Sequence, residues 1–222
     1  MIGTLAFATV LLAAPEKWDI KPNLADKSKT VYALTVEAKT DSEEHTAKMN
    51  VVRVCSAPDA SKNIKAKYSW EGLEVDGNSM DTGASWDVLL TPDGAIMSTT
   101  AEEGDDIRRM LSPLTFVYPG KAVDTGDKWS ASVKPNKDKD DRQFTWAYEV
   151  KGVEKIKEAD TLKIAGILSE KGNDPMSGSG TWWIGKDGTV VKFSLDIKGW
   201  VVPMAGSTPI DAKMTGEAVP NK

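Results

Sequence analysis

Few residues of this chain could perform chemistry on a substrate. The chain contains one histidine, His45, and one cysteine, Cys55. Catalysis by a thiol needs a base within hydrogen-bond reach, and these two residues would meet only across an unusual bend. The sequence favours the alternative, an exposed histidine and a small buried thiol. The pair also supplies too few ligands for zinc without help from carboxylates. We therefore predict a non-enzymatic protein with no catalytic residues, no cofactor and no metal site.

Acidic residues are plentiful, but no two of them stand out as a catalytic pair for glycoside hydrolysis. Asn136, Asp138 and Asp140 alternate in the loop PNKDKDDRQF, as in a calcium-binding loop. The loop lacks the central glycine and the final acid of such sites. A charged hairpin loop that discourages edge pairing is the better interpretation. The acids of residues 102–106 are typical of a solvated helix N-terminus, where the helix dipole favours negative charge.

Tryptophans are the remaining candidates for a binding site, and the chain has eight. Adjacent residues of a strand face opposite sides of a sheet, so Trp182 and Trp183 cannot share one core layer. Exposed aromatic side chains stack on sugar rings or line grooves for apolar chains. Burial in the core or between the two halves of the chain is the favoured interpretation. The candidate ligand-binding residues are Trp70, Trp146, Trp183 and Trp200.

Antiparallel strands are the elements that must position these residues. Apolar and polar residues alternate strictly in KNIKAKYSW, RQFTWAYEV and VVKFSLDIKGW, and this period of two predicts strands with one buried face and one solvated face. The Asp-Gly pairs at 93–94 and 187–188 lie between strand-like runs and predict hairpins. The predicted fold class is mainly β, with one or more curved antiparallel sheets built by internal duplication.

One stretch, AEEGDDIRRMLSPL, has helical spacing. Ile107, Met110, Leu111 and Leu114 recur on one helical face. Pro113 should end or kink the helix, because proline removes a backbone donor and clashes with the preceding turn. The sequence therefore predicts a single short helix near residues 102–112.

An internal repeat organises the chain. PEKWDIKPN, around Trp18, resembles TGDKWSASVKPN, around Trp129, and an aromatic strand follows each. Later in each half, a Gly–Trp strand runs into an Asp-Gly pair, in GASWDVLLTPDGAIM and in GTWWIGKDGTVVKF. We predict a first β-rich half, residues 15–118, that ends in the short helix. The second β-rich half is predicted to span residues 119–222.

The N-terminal stretch predicts export. Residues 2–14 are uncharged and mostly apolar, and the stretch is too short to span a bilayer. Ala13 and Ala14 before Pro15 suit cleavage of a signal peptide, residues 1–14, near Ala14. No lysine or arginine precedes the apolar residues, so a buried first strand is the alternative. The predicted location is the periplasm or the extracellular space.

A motif in the middle of the chain resembles a known group of proteins. The segment FVYPGKAVDTGDKW places Pro119, Val123, Gly126, Asp127 and Trp129 in the pattern P-x-x-x-V-x-x-G-D-x-W. It resembles a recurring segment of uncharacterised exported bacterial β-rich proteins. More distantly, such proteins are similar to the LolA/LolB-like envelope half-barrels, in which a curved antiparallel sheet wraps around a helix. The resemblance implies a fold and a compartment, but no catalytic residues.

These observations favour a non-enzymatic envelope protein. A net charge of −5 with scattered lysines argues against nucleic-acid binding. We expect an apolar ligand, such as a lipid, or a protein partner to bind on an aromatic-lined sheet face. Two alternatives stay open: a purely structural domain, and a carbohydrate-binding module with Trp183 and Trp86 or Trp200 exposed in a row. The oligomeric state is left open.

Overall fold

The computed structural model describes residues 17–40, 43–80, 83–99, 104–133, 142–203 and 208–220. Within these ranges the chain forms twelve strands, one α-helix and a short 3₁₀ turn at Ser112–Leu114. The helix is α1 (Gly104–Leu111), and the strands are β1 (Lys29–Lys39), β2 (Glu44–Pro58), β3 (Ile64–Val75), β4 (Asn78–Met80), β5 (Ser85–Leu90), β6 (Ile96–Thr99), β7 (Lys128–Val133), β8 (Gln143–Ile156), β9 (Ala159–Lys171), β10 (Ser177–Gly185), β11 (Val190–Val201) and β12 (Pro209–Ala218).

All twelve strands belong to one antiparallel sheet. Its strand order is β6-β5-β3-β2-β1-β12-β11-β10-β9-β8-β7, and β4 pairs with β3. Each half of the chain is a meander, and the two meanders join where β1 pairs with β12, with Leu34 opposite Gly216. The predicted mainly β fold with one short helix is confirmed, and the sheet is single. The division at residue 118 into two halves stays a prediction.

The sheet curves around α1. The guanidinium of Arg108 lies 4.9 Å from the ring centroid of Phe144 in β8, and the same helix contacts β6. Trp200 in β11 donates its indole N–H to the carbonyl of Met110 at 3.0 Å. Since β6 and β8 lie near opposite ends of the strand order, the sheet must bend around the helix to bring both to it. We call the face that covers α1 the inner face, and the opposite one the outer face.

Glycine bulges help the sheet to bend. The strand register shifts beside Gly152 in β8 and between Ile197 and Trp200 in β11. A bulge adds one residue to a strand, which increases the local twist and bends the strand. Gly199 has φ of +69°, a conformation that favours glycine. Because of this bulge, Trp200 points to the inner face, although strict alternation from Ile197 would place it on the outer face.

The helix forms at the predicted place. Ile107, Met110 and Leu111 are fully buried, and α1 ends at Leu111 before the turn that contains Pro113. Two neighbouring positions, Arg108 and Arg109, are buried as well, which the apolar spacing did not predict. In the part of the chain described, no helix has the length and apolar character needed to cross a bilayer. Residues 102–103 of the predicted helix lie outside the described ranges.

The residues after α1 also lie on the inner face. Phe116 contacts the rings of Tyr148 and Trp182, with centroids 5.1 Å and 5.8 Å away. Trp182 in turn lies over glycines, because a Cβ at Gly166 would be 2.7 Å from its ring. Glycine on the inner face therefore makes room for the large rings, and the aromatic inner face is filled by the chain itself.

The P-x-x-x-V-x-x-G-D-x-W segment forms the turn that leads into β7. Val123 is fully buried and exchanges two backbone hydrogen bonds with Trp18, at 2.8 Å and 2.9 Å. Gly126 has φ of +88°, where glycine is favoured. Trp129 donates its indole N–H to the carbonyl of Val117 at 3.1 Å. These motif residues therefore close the turn and anchor it to the core.

Candidate functional site

The four candidate tryptophans do not form one surface. Trp70, Trp146 and Trp200 are buried on the inner face, with exposed fractions of 4%, 3% and 2%. Trp183 is half-buried on the outer face, whereas its neighbour Trp182 is fully buried. The prediction that Trp182 and Trp183 face opposite sides is therefore confirmed. Three of the four candidates pack in the core, and one lies where a ligand from solvent would reach it.

The aromatic inner face has little free volume. Trp146 contacts Trp182 edge-on, with ring centroids 4.9 Å apart, and lies 5.8 Å from Tyr148. The cavities that border this cluster measure about 30 Å³ and 20 Å³, room for about one water molecule each. An apolar chain would fit here only if α1 and the residues after it moved away.

A carbohydrate site that works by stacking requires a row of exposed tryptophans. Trp183, Trp86 and Trp200 do not form such a row. Trp86 packs against Trp70 edge-on at 5.5 Å and belongs to the border of the core. Trp200 is buried under α1. Of these three, Trp183 alone lies on the outer face.

The outer face carries an open groove of about 770 Å³ across β1 and β7 to β12, which we call the outer groove. Its floor is a row of small side chains that lie side by side on successive strands. In register order these are Ala165, Thr181, Ser194, Thr215 and Thr35. Solvated sheet faces usually carry long polar side chains, as β3 does at Lys65 and Lys67. The small floor residues therefore leave a trough.

Charges of both signs border the outer groove. Glu149 lies 2.8 Å from the ammonium of Lys151 and 3.6 Å from that of Lys128. The hydrogen bond from Lys151, with the charge of Lys128, lowers the pKa of Glu149. On the opposite side, Lys213 lies between Asp196 and Glu37 in the strand register. These lysines and acids can form ion pairs with a ligand that carries both positive and negative charges.

The large apolar side chain of Ile167 lies in the outer groove. Ile167 is 65% exposed and lines the groove opposite Ser179 of β10. Its neighbour Ala147 in β8 is small. The groove thus offers an apolar contact among hydroxyl groups.

Trp183 lies in the next register row beyond the groove floor. The ammonium groups of Lys163 and Lys192 lie 5.6 Å and 5.5 Å from its ring centroid, within the range of cation–π attraction. Lys163 also pairs with Glu154 at 2.9 Å, and this hydrogen bond lowers the pKa of Glu154. The indole therefore lies between two lysines at the end of the groove.

His45 and Cys55 do not meet. Both lie on β2, ten residues apart, which at about 3.3 Å per residue separates them by about 30 Å. Nδ1 of half-buried His45 lies 2.7 Å from Oδ2 of Asp76, and this hydrogen bond raises the pKa of the imidazole. Cys55 is buried, with 2% of its surface exposed. A thiol–imidazole pair is therefore not formed.

A buried ion pair was missed by the sequence analysis. Glu170 of β9 lies on the inner face, where its Oε2 accepts hydrogen bonds from Arg109 at 3.0 Å and from the backbone of Met176 at 2.7 Å. Arg142 lies 3.5 Å from its other oxygen. The alternation in β9 could have revealed this pair, because Glu170 lies two residues after Leu168 and therefore on the same face of the strand.

The loop at residues 136–141, whose alternating acids resemble a calcium-binding loop, lies outside the described ranges. Among the described residues, no group of three or more histidine, cysteine or acidic side chains is arranged to hold a metal ion.

No family model matches the chain, and no curated protein matches it. A solved structure from Bacteroides fragilis, of a protein inferred to be exported and described as having a YmcC-like fold, is similar at 8% identity with a TM-score of 0.34. The match covers 92% of this chain and 99% of that one. A likeness this distant carries no argument about function, and the resemblance to the LolA/LolB-like envelope proteins stays a prediction.

Proposed function

We propose that this chain is an exported, non-enzymatic binding protein of the bacterial envelope, and that it holds an extended segment of a partner protein in the outer groove. The observation that carries the proposal is the floor of small side chains across five strands. Long side chains on these positions would fill the trough. The volume, about 770 Å³, lies within the range of ligand sites.

The chemistry of the groove supports a polypeptide as the occupant. The hydroxyl groups of Thr181, Ser194 and Thr215 both donate and accept hydrogen bonds, as backbone amides require. Exposed Ile167 offers an apolar contact, and the mixed charges along both sides suit a segment that carries lysines and acids. A lipid would leave these polar groups without partners, at a cost in desolvation.

The alternative proposal is that an apolar ligand binds on the inner face. It would place the ligand against Trp70, Trp146 and Trp200, and it requires α1 and the residues after it to leave the inner face. The small size of the inner cavities makes the outer groove the better-supported site. Among the four candidate tryptophans, Trp183 is then the one that would contact a partner, at the end of the groove.

Site-specific photo-crosslinking in cells tests the groove. A benzophenone amino acid at position 167 should give a discrete, protease-sensitive adduct. The matched control is position 54, since Val54 is also an exposed β-branched residue, on the outer face of β2. Thr181→Arg, which fills the floor, should abolish the adduct. Equal adducts from both positions, or none from position 167, would contradict the proposal.

The export part of the proposal rests on the N-terminal sequence, residues 1–14. It is tested by recovering the protein from the periplasm or the medium and measuring its intact mass. We expect loss of the residues up to Ala14. Recovery of the full-length chain in the cytoplasm would contradict export, without bearing on the groove.

A further inference from the structure

A second cavity lies at one end of the sheet, apart from the outer groove. It measures about 370 Å³ and is bordered by the start of β1, the end of β12 and the turns that follow β8 and β10. A small inner cavity of about 30 Å³ lies below it. Tyr32, Arg53 and Tyr118 line both cavities. We call the pair of cavities the end pocket, with Arg53 at its base.

Arg53 has neutral partners only. Its Nη2 donates to Oγ1 of Thr30 at 3.2 Å and to the carbonyl of Asn23 at 3.5 Å. Its Nε is buried and has no hydrogen-bond partner. Across the described ranges, no carboxylate forms an ion pair with it, whereas buried Arg109 pairs with Glu170 at 3.0 Å. Arg53 is half-buried, and a guanidinium that is partly removed from water without a counter-charge carries a desolvation cost that an anionic ligand would relieve.

The tyrosines around Arg53 cannot supply that counter-charge. Burial raises the pKa of Tyr32 to about 12 and also raises the pKa of Tyr118, so both phenols are neutral at physiological pH. The hydroxyl of Tyr118 donates to the carbonyl of Gly188 at 2.6 Å. That bond uses the single O–H of Tyr118, and neutral phenols leave the charge of Arg53 unbalanced.

The rim of the end pocket adds positive charge. Lys29, Lys157 and Lys192 line it together with one acid, Glu217. Glu217 pairs with Lys157 at 2.9 Å, and that hydrogen bond lowers the pKa of the carboxyl. Including Arg53, the charged side chains that line the pocket are therefore four cations and one anion, which favours the entry of a negatively charged ligand.

From this arrangement we infer that the end pocket binds a small organic anion, a carboxylate or a phosphate monoester with an apolar body, through Arg53. The guanidinium presents a fork of donors that matches both head groups. The walls that would contact the body are apolar, at Ile156, Val190, Val191 and Val219. The end pocket and the outer groove share no lining residue, so this inference does not depend on the proposed function.

Titration calorimetry of the purified protein tests the inference with three probes. Octanoate supplies a carboxylate with an apolar body, octyl phosphate supplies the phosphate form, and octanol is the uncharged control. We expect saturable binding of at least one anion, at least tenfold tighter than octanol. Binding of octanoate alone identifies a carboxylate, and binding of octyl phosphate alone a phosphate. Absence of saturable binding of both anions would overturn the inference.

The variant Arg53→Met tests whether Arg53 binds the anion. We expect at least a tenfold loss of affinity, while Lys67→Met, which removes a positive charge from the outer face of β3, leaves affinity unchanged. The melting temperature of Arg53→Met should equal or exceed that of the wild type, because the substitution removes a half-buried cation with which no acid pairs. Wild-type affinity in Arg53→Met would overturn the inference. So would a lowered melting temperature in Arg53→Met, since it would mark Arg53 as structural.

Discussion

At the scale of single residues, buried Arg109 and half-buried Arg53 differ in whether an acid compensates their charge. Arg109 of α1 lies 3.0 Å from Oε2 of Glu170, and both side chains are almost fully enclosed. Arg53 is surrounded by hydroxyl and carbonyl groups. Removing one partner of a buried ion pair leaves the other charge uncompensated, whereas removing an unpaired charge relieves a cost. The two arginines should therefore respond in opposite directions to the same substitution.

The first prediction concerns Arg109. Arg109→Met should lower the free energy of unfolding by about 3–5 kcal/mol, because Glu170 would be left buried beside the more distant Arg142 alone. Urea denaturation followed by tryptophan fluorescence measures the change. The double variant Arg109→Met/Glu170→Met should recover part of the loss. A single variant as stable as the wild type would show that the pair contributes nothing.

The second prediction concerns His45, the one histidine of the chain. Its hydrogen bond with Asp76 raises the pKa of the imidazole above 6.5 and lowers that of the carboxyl below 3.8. The raised imidazole pKa stabilises the fold below pH 6.5, and this contribution is lost as pH rises through the folded value. The lowered carboxyl pKa stabilises the fold above pH 3.8, and this contribution is lost as pH falls through the folded value.

The His45 pair should therefore stabilise the fold most between about pH 4 and pH 6.5. NMR titration of the imidazole signals should give a pKa above 6.5 in the wild type. The value should fall toward 6.5 in Asp76→Asn, because the acid with the largest effect is gone and Glu43, 3.3 Å from Nε2, remains. Equal values in the two proteins would show that the contact does not persist in solution.

At the scale of elements, glycines decide how closely the rings of the inner face approach the strands. Gly216 of β12 pairs with Phe193 of β11, and a Cβ on Gly216 would collide with the Phe193 ring. That ring is held from its other side by Tyr32, edge-on at 5.7 Å. The ring therefore cannot easily move to make room.

The third prediction follows from this contact. Gly216→Ala should lower the free energy of unfolding by about 1–3 kcal/mol, as overpacking of a core does. Thr215→Ala is the matched control, because residue 215 lies next to it on the outer face and should change stability by less than about 0.5 kcal/mol. Thermal unfolding measures both. Equal stability of the two variants would show that the Phe193 ring moves aside at little cost.

At the scale of the whole molecule, the two meanders share one sheet and one core. β1 pairs with β12 over eight residue pairs, from Tyr32–Ala218 to Lys39–Asp211. The helix between the two meanders contacts both β6 and β11. A bridge between Trp18 and Val123 links the N-terminal segment to the turn before β7. Neither meander could therefore unfold without exposing a strand edge of the other.

The fourth prediction is that the chain unfolds in a single cooperative transition, because the halves share their core. Calorimetry should give one peak whose calorimetric and van't Hoff enthalpies agree. Circular dichroism and tryptophan fluorescence should give the same midpoint. Two resolved transitions would instead show that the halves, residues 15–118 and 119–222, are independent domains.

The sequence could predict the local elements of this fold, because strands and helices are encoded by patterns within a few residues. The alternation in RQFTWAYEV places Phe144, Trp146 and Tyr148 on one face, and all three are buried. The Asp-Gly pairs at 93–94 and 187–188 do lie between paired strands. Pro113 marks the end of α1. Each of these features depends on neighbours along the chain, which the sequence contains.

Only the tertiary structure decided which side chains meet. A bulge at Gly199 turned Trp200 inward, and α1 covered the aromatic face that the sequence offered as a binding surface. The groove floor needs β9 to β12 and β1 side by side, and the pairing of Arg109 with Glu170 joins residues sixty-one positions apart. Such contacts depend on the order of strands in the sheet, which is determined by burial summed over the whole chain rather than by local pattern. For that reason the sequence predicted a β sheet rich in tryptophan, whereas the structure revealed that no acid among the described residues pairs with Arg53.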